Sequence, residues 1–109
     1  MIQVFGTKKC KETQKTLRFF KERGIATHFI DLAQKGPSPG ELKKIAAVLG
    51  LENLLDKESA AYRKGQLEYM SYDLESKLLE DPLLLKTPLV RNEGKVALGY
   101  VPEIWKAWQ

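Results

Sequence analysis

The chain has 109 residues, of which 43% are hydrophobic, and a formal net charge of +4. This size and composition fit one globular domain with a substantial core. No hydrophobic run approaches the length of a membrane span, the first residues lack the pattern of a signal peptide, and the basic residues are too evenly mixed with acidic ones for a nucleic-acid surface. We therefore expect neither a membrane nor a nucleic acid as a direct partner.

The chain contains one cysteine, Cys10, and one histidine, His28. A single cysteine cannot form an internal disulfide, and together with one histidine it offers no metal-binding cluster, so we expect no metal. A reducing cytoplasm is the natural setting for such a chain. Nothing in its charge or size demands more than a monomer.

The first third of the chain follows a strand, helix, strand pattern. The run Ile2 to Phe5 predicts a strand that ends at Gly6. From Lys11 to Arg23 the hydrophobic residues recur at helical spacing, and Gly24 supplies the stop. Ala26 to Leu32 predicts a second strand. A compact β-α-β unit of this kind predicts two parallel strands.

The middle of the chain, at about residues 39–82, is predicted to be helical. Ser38 can cap a helix, Pro39 suits the first helical position, and Glu41 completes a Ser-x-x-Glu capping box. This helix is expected to continue to Gly50. Three shorter helical stretches are predicted to follow it, namely Leu51 to Asp56, Glu58 to Lys64 and Tyr72 to Glu80.

The C-terminal third predicts an antiparallel hairpin and a last helix. Leu89 to Arg91 and Lys95 to Leu98 are the expected strands, with the turn at Asn92-Glu93-Gly94. Pro102 opens the last helix. Its two tryptophans, three residues apart on one face, are expected in the core; they are Trp105 and Trp108. The predicted fold class is α/β, with a four-stranded mixed sheet and helices on its faces.

Cys10 lies where the first strand gives way to the first helix. The free N–H groups at a helix start stabilise negative charge, and Lys8, Lys9 and Lys11 add positive charge nearby. Both effects favour the thiolate, which is the reactive form of cysteine. Thr13 lies in the first turn, where its hydroxyl could donate a hydrogen bond to the sulfur. The alternative is an inert, buried cysteine, but the polar neighbours favour a reactive one.

Two stretches of the chain resemble a known protein family. "VFGTKKCKETQKTLRFFKERGI" and "DPLLLKTPLVRNEGKVALGYVPEIW" are similar to the opening and closing stretches of the arsenate reductase (ArsC)/Spx/YffB family. The Cys-x-x-Thr motif between the first strand and the first helix also resembles the motif of the thioredoxin-like fold. The resemblance covers nearly the whole chain. It implies one thioredoxin-like domain over residues 1–109, with a helical insertion at about residues 39–82.

The resemblance also implies roles for individual residues. Cys10 matches the nucleophile of the family, and Pro88 matches the cis-proline that faces it. Thr87 would offer backbone groups to a bound thiol peptide such as glutathione. Arg63 matches an arginine in the helical section of the family. The candidate substrate- or anion-binding residues are therefore Thr13, Lys9 and Arg63.

The chain departs from the arsenate-reducing pattern at two of the expected arginines. The arginine that precedes the cis-proline is here Thr87, and "LGYVPE" after the hairpin contains none. Because arsenate needs several converging charged hydrogen bonds, these residues argue against arsenate as the substrate. "CKET" also lacks the second cysteine of an Spx-type switch, so a redox cycle needs a thiol from outside the chain.

Three functions are compatible with these residues. The first is a monothiol oxidoreductase without a bound cofactor, in which Cys10 acts on an oxidised or anionic substrate and glutathione or glutaredoxin completes the cycle. The second is a non-enzymatic, Spx-like regulator that binds RNA polymerase or another protein. The third is a thioredoxin-like domain whose ancestral chemistry has been lost. The presence of Cys10, Thr13 and the Thr87–Pro88 pair favours the first.

Overall fold

A computed structural model of the protein describes residues 1–108 and contains one four-stranded mixed sheet. Its strands are β1 (Ile2–Gly6), β2 (Thr27–Asp31), β3 (Leu89–Asn92) and β4 (Lys95–Leu98), in the spatial order β2-β1-β3-β4. β1 pairs with β2 in parallel, whereas β3 is antiparallel to both β1 and β4. The mixed sheet predicted from the sequence is confirmed.

Five α-helices accompany the sheet in the described part of the chain. They are α1 (Lys11–Glu22), α2 (Pro39–Leu49), α3 (Ala60–Lys64), α4 (Leu74–Glu80) and α5 (Pro102–Lys106). Three 3₁₀ helices lie between them, at Leu51–Leu54, Leu67–Tyr69 and Pro82–Leu84. Among residues 1–108, no helix is long and hydrophobic enough to span a bilayer.

Side-chain alternation along β1 divides the core into two clusters, one on each face of the sheet. Phe5 belongs to the cluster that contains Leu42 and Ile45 of α2. Val4 belongs to the cluster that contains Phe20 of α1 and Trp105 of α5. Because successive residues of a strand point to opposite faces, the sheet is covered on both sides. Its carboxyl-terminal edge at Gly6 is where the chain turns into α1.

The ends of α1 and β2 differ slightly from the sequence prediction. α1 ends at Glu22 rather than Arg23 because Gly24 adopts a positive φ of 67°, a conformation that suits glycine and closes a helix. The Ile25 N–H then donates to the Phe20 carbonyl at 2.9 Å. β2 covers Thr27–Asp31 rather than Ala26 to Leu32, since its five residues pair one to one with the five of β1.

Capping residues set the helix starts in the middle of the chain. The predicted capping box is confirmed, because Ser38 Oγ accepts from the Glu41 N–H at 3.2 Å and Glu41 Oε1 accepts from the Ser38 N–H at 2.9 Å. α3 begins at Ala60 rather than Glu58, because Ser59 accepts from the N–H of Tyr62.

Two further boundaries in the middle of the chain were predicted wrongly, and two short helices were missed. α4 begins at Leu74 rather than Tyr72, because the Asp73 carboxylate caps it by accepting from the Ser76 N–H. The stretch predicted from Leu51 to Asp56 is a 3₁₀ helix that ends at Leu54, since Leu55 leaves it to form an antiparallel bridge with Leu85. The 3₁₀ helices at Leu67–Tyr69 and Pro82–Leu84 were not predicted.

The C-terminal hairpin has a tighter turn than the sequence suggested. Asn92 is the last residue of β3 and pairs with Lys95, so the turn contains only Glu93 and Gly94. Trp105 is fully buried, as predicted, and Trp108 packs against the same cluster while partly exposed.

Candidate functional site

The loop between β1 and α1 places Cys10 at the open end of a twelve-residue helix. Cys10 is the N-cap residue of α1 and has extended backbone angles, φ −77° and ψ 117°. Its N–H donates to the Thr7 carbonyl at 3.2 Å. The side-chain amide of Gln14 donates to the carbonyl of Lys8. These bonds fix the loop, so the thiol has a defined position in front of the first helical N–H groups.

The chain approaching β3 forms the other side of the site. The Thr87–Pro88 peptide bond is cis, and Pro88 is buried. The Pro88 carbonyl accepts from the Gly99 N–H at 2.8 Å, which ties this segment to the end of the hairpin. The Thr87 hydroxyl donates to Cys10 Sγ at 3.2 Å, across 77 positions of sequence. The fold therefore brings the predicted nucleophile and the predicted docking residues together.

Thr13 lies beneath the thiol in the first turn of α1. It is fully buried, and its hydroxyl sits against Gly6, where a Cβ would collide with it. Within residues 1–108 this hydroxyl has no partner in full hydrogen-bond geometry. Its dipole is nevertheless close enough to the sulfur to lower the pKa of Cys10. The structure thus places Thr13 beside Cys10, as an oriented dipole and not as a fully formed hydrogen-bond donor.

Opposing effects determine the pKa of Cys10. Partial burial raises it, since an apolar environment disfavours a charged sulfur. The hydroxyls of Thr13 and Thr87 and the backbone N–H groups of Thr13 and Glu12 lower it by more in total. The backbone groups act as dipoles at the helix end, because Sγ makes no capping hydrogen bond. The net result is a pKa below the ordinary value, so more of the thiol is thiolate near neutral pH.

Lys9 lies in the turn directly before Cys10 and is exposed, as are Lys8 and Lys11. Solvent and salt screen such charges, so they support the thiolate weakly. The anion-binding role predicted for Lys9 stays a prediction.

A cavity of about 240 Å³ opens beside Thr7 and Thr87, two of the residues that hydrogen-bond to Cys10. Leucine and alanine side chains form much of its wall, and Asp56 and Ser59 contribute the other polar groups. Within the part of the chain that the structure describes, its lining includes no lysine or arginine. A ligand in this cavity would meet a carboxylate and several hydroxyls, one of which, that of Thr87, donates to Cys10 Sγ.

The cationic side chains considered from the sequence lie elsewhere. Arg63 is exposed on α3 and lines a different cavity together with Tyr62 and Tyr69. Arg91 pairs with Glu41 at 3.4 Å and donates to Gln3 at 3.2 Å. The structure therefore does not bring Arg63 to the cavity beside Thr87, and its anion-binding role stays a prediction. Among the described residues, no three His, Cys, Asp or Glu side chains gather as metal ligands.

Sequence reasoning missed part of the site. It assigned backbone groups to Thr87, whereas the structure adds the side-chain hydroxyl. It also missed Asp56 and Ser59. Ser59 could have been recognised from the sequence as a helix cap, because its hydroxyl caps α3. Its position next to Thr87 could not, because that depends on how α3 packs against the 3₁₀ helix at Pro82–Leu84.

Comparisons with known proteins all lead to one family. The model of the ArsC family matches residues 5–108. The arsenate reductase of Neisseria meningitidis serogroup B is 29% identical over 104 residues, which cover 90% of this chain and 89% of the relative. The global transcriptional regulator Spx 2 of Oceanobacillus iheyensis is 28% identical over 105 residues, covering 91% and 76%.

Solved structures of similar proteins share the fold of this chain. The arsenate reductase from Vibrio cholerae superposes with a TM-score of 0.78 at 25% identity, and the match covers 94% of this chain and 92% of that one. The thioredoxin-like fold predicted from the sequence is confirmed. In this chain Cys10 lies at the start of the first helix, and the Thr87–Pro88 bond opposite it is cis; the nucleophilic role predicted for Cys10 stays a prediction.

Proposed function

Because this chain belongs to the ArsC family, we propose that it is a monothiol oxidoreductase whose nucleophile is Cys10. The hydrogen bond from the Thr87 hydroxyl to Cys10 Sγ, at the open end of α1, carries the proposal. A hydrogen bond to a charged group favours the charged form, so this contact prepares the thiolate. Since the chain has no second cysteine, glutathione or glutaredoxin would supply the other thiol, in a reducing cytoplasm.

The proposed reaction is a pair of thiol–disulfide exchanges. The Cys10 thiolate attacks the glutathione sulfur of a mixed disulfide, a new S–S bond forms, and the substrate sulfur leaves as a thiolate. A glutathione thiolate then attacks the glutathione sulfur bound to Cys10. Oxidised glutathione leaves, and Cys10 returns as a thiolate. The electrons that reduce the substrate come from the external thiol.

The cavity beside the thiol supports a sulfur substrate better than arsenate. Its polar residues include the carboxylate of Asp56, which repels an oxyanion, and its described lining supplies no cation. Several charged donors would be needed to hold arsenate. A disulfide is neutral at the reacting sulfurs and needs no such donors. We therefore favour a glutathione mixed disulfide over arsenate as the substrate.

Turnover with the mixed disulfide of cysteine and glutathione tests the proposal. The assay contains glutathione, glutathione reductase and NADPH, and it follows the oxidation of NADPH. Wild-type protein is expected to accelerate this oxidation and to show one glutathione adduct by intact mass. The Cys10→Ser variant is expected to do neither. A wild-type protein that forms no adduct and gives the variant's rate would refute the proposal.

The alternative is a non-enzymatic regulator, and the similarity to Spx 2 favours it. Such a protein would bind RNA polymerase or another protein and would use Cys10 only as a single-thiol sensor. Capture of partners by the tagged chain from a cell extract tests this alternative. Recovery of a polymerase subunit, together with no turnover, would support it. Turnover without recovery of a polymerase subunit or any other specific partner would exclude it in favour of the oxidoreductase.

A further inference from the structure

A second concave surface lies between α1 and the segment that leads into α5. This groove has a volume of about 610 Å³ and shares no lining residue with the cavity beside Thr87. Its charged lining is unbalanced, with one carboxylate, Glu22, against four cations. The cations are Lys15, Arg18, Arg23 and Lys106. A groove lined mainly by one sign of charge concentrates ligands of the opposite sign.

The fold builds this groove rigidly. Lys15, Arg18 and Glu22 recur at spacings of three and four residues, so α1 presents them on one face. α5 is fixed against α1 because Trp105 is fully buried and stacks on Phe20, with ring centroids 5.0 Å apart. The two sides of the groove, α1 and α5, are therefore already arranged for binding, which lowers the entropy lost when a ligand binds.

Three of the four cations have no ionic partner within residues 1–108, and one of these three, Arg23, is held by a backbone carbonyl. Lys15 pairs with Glu12 at 3.5 Å, and Arg23 donates to the Phe19 carbonyl at 3.3 Å. Arg18 and Lys106 form no ion pair in the described part of the chain. Their charges are available to a ligand, and the guanidinium of Arg18 can bind a carboxylate with two parallel hydrogen bonds.

The aromatic rings of the groove indicate which anion it fits. The guanidinium of Arg23 covers the ring of Phe19 at 3.7 Å from its centroid, and Lys15 Nζ lies 6.0 Å from the centroid of Tyr100. Single-stranded nucleic acids bind largely by stacking successive bases on open aromatic faces, whereas Phe19 is buried beneath Arg23 and leaves Tyr100 as the one exposed ring in the lining of the groove among the described residues. Glu22 interrupts the basic surface that a continuous phosphate backbone would follow. Separate carboxylates between the cations fit better.

We infer that this groove binds a carboxylate-rich segment of a protein partner. The inference rests on the cations between α1 and α5 and not on the chemistry of Cys10. It therefore adds a docking surface for acidic proteins to the proposed oxidoreductase.

Amide NMR spectra of the full chain, titrated with acetylated hexaglutamate amide at low ionic strength, test the inference. We expect chemical-shift changes in α1 and around Tyr100 to Lys106. The double variant Arg18→Glu, Lys106→Glu should weaken binding about tenfold, because it removes two ion pairs of the exposed class. The double variant Lys43→Glu, Lys44→Glu makes the same change of charge on the exposed side of α2 and should bind as the wild type does.

Three results would overturn the inference: no shift changes in the groove, equal loss of binding in both double variants, or tighter binding of hexathymidylate at the same residues. If the double variant Arg18→Glu, Lys106→Glu unfolds, the single variant Arg18→Gln is used in its place. It removes one charge with little change of shape. Cys10→Ser should bind hexaglutamate normally, so a failure of docking and a failure of the thiol chemistry are distinguishable.

Discussion

The reactivity proposed for Cys10 depends on how closely Thr13 approaches it. Thr13 is fully buried, and its hydroxyl occupies the space that a side chain at Gly6 would need. The last residue of β1 must therefore be small for the first turn of α1 to pack against it. The absence of a side chain at Gly6 thus allows a buried hydroxyl to lie beside the thiol, where its dipole lowers the pKa of Cys10.

Gly6→Ala is expected to lower the free energy of unfolding by about 1–3 kcal/mol, because overpacking a close contact has a cost of this size. The displaced Thr13 dipole should also raise the pKa of Cys10. Urea unfolding and the alkylation rate of the thiol measure the two effects. Gly40→Ala is the control for added volume, since nothing lies within 4 Å of its added Cβ; it lies in α2 and should leave stability unchanged or raise it, because alanine favours a helix over glycine. Equal stability of the two variants would contradict this packing account.

Helix α2 is held at its start by a small network that joins a cap to the sheet. Glu41 accepts from the Ser38 N–H and pairs with Arg91 of β3 at 3.4 Å. The backbone N–H of Ser38 is the main cause that lowers the pKa of Glu41, with smaller contributions from Gln3, the Ser38 hydroxyl and Arg91, and burial opposes them. Arg91 is therefore a structural cation at α2, which explains why it does not serve the thiol.

Glu41→Gln should reduce the free energy of unfolding at neutral pH by about 0.5–1 kcal/mol, since it weakens a cap and a partly buried ion pair. The folded-state pKa of Glu41 lies below its unfolded value. Its contribution is therefore present above the unfolded pKa of about 4.3 and is lost as pH falls through the folded pKa.

Urea unfolding across this pH range measures the effect. Glu52→Gln removes the same charge at an exposed site without a side-chain hydrogen bond among the described residues. A constant difference between Glu41→Gln and wild type at all pH values would argue against the linkage.

Across the whole molecule, the two hydrophobic clusters, one on each face of the sheet, support different surface features. The cluster with α2 supports the segments that carry Asp56, Ser59 and Thr87, which line one cavity. The cluster with Trp105 fixes α5 against α1 and thereby shapes the basic groove. Trp105 is fully buried, yet its indole N–H has no hydrogen-bond partner within residues 1–108.

Trp105→Ala should lower the free energy of unfolding by about 3–5 kcal/mol through the cavity that it leaves. Trp105→Phe should lower the free energy of unfolding much less, because it keeps an aromatic ring. It also removes a buried N–H donor without a partner, and such a donor destabilises a folded protein by about 1–3 kcal/mol. Urea unfolding of the two variants compares them directly. A Phe variant as unstable as the Ala variant would show that the indole N–H is satisfied.

Local signals in the sequence were enough to predict much of this molecule. Gly24 ends a helix, Ser38 and Glu41 form a capping box, and Cys10 precedes a helical pattern, and each of these depends on a few neighbouring residues. The contact between Thr87 and Cys10 spans 77 positions, and only a family resemblance pointed to it. The positions of Asp56 and Arg63 could not be predicted, because the packing of distant segments decides which cavities they line.

The alkylation rate of Cys10 as a function of pH reports the pKa of its thiol and is the first measurement to make. We expect a midpoint below the free-cysteine pKa of about 8.5, because hydroxyl and backbone dipoles outweigh burial. Thr87→Val, which keeps the shape and removes the hydroxyl, should raise the midpoint and slow alkylation at neutral pH. A midpoint at or above the free-cysteine value that Thr87→Val leaves unchanged would contradict the account, because Cys10 would then be an ordinary thiol.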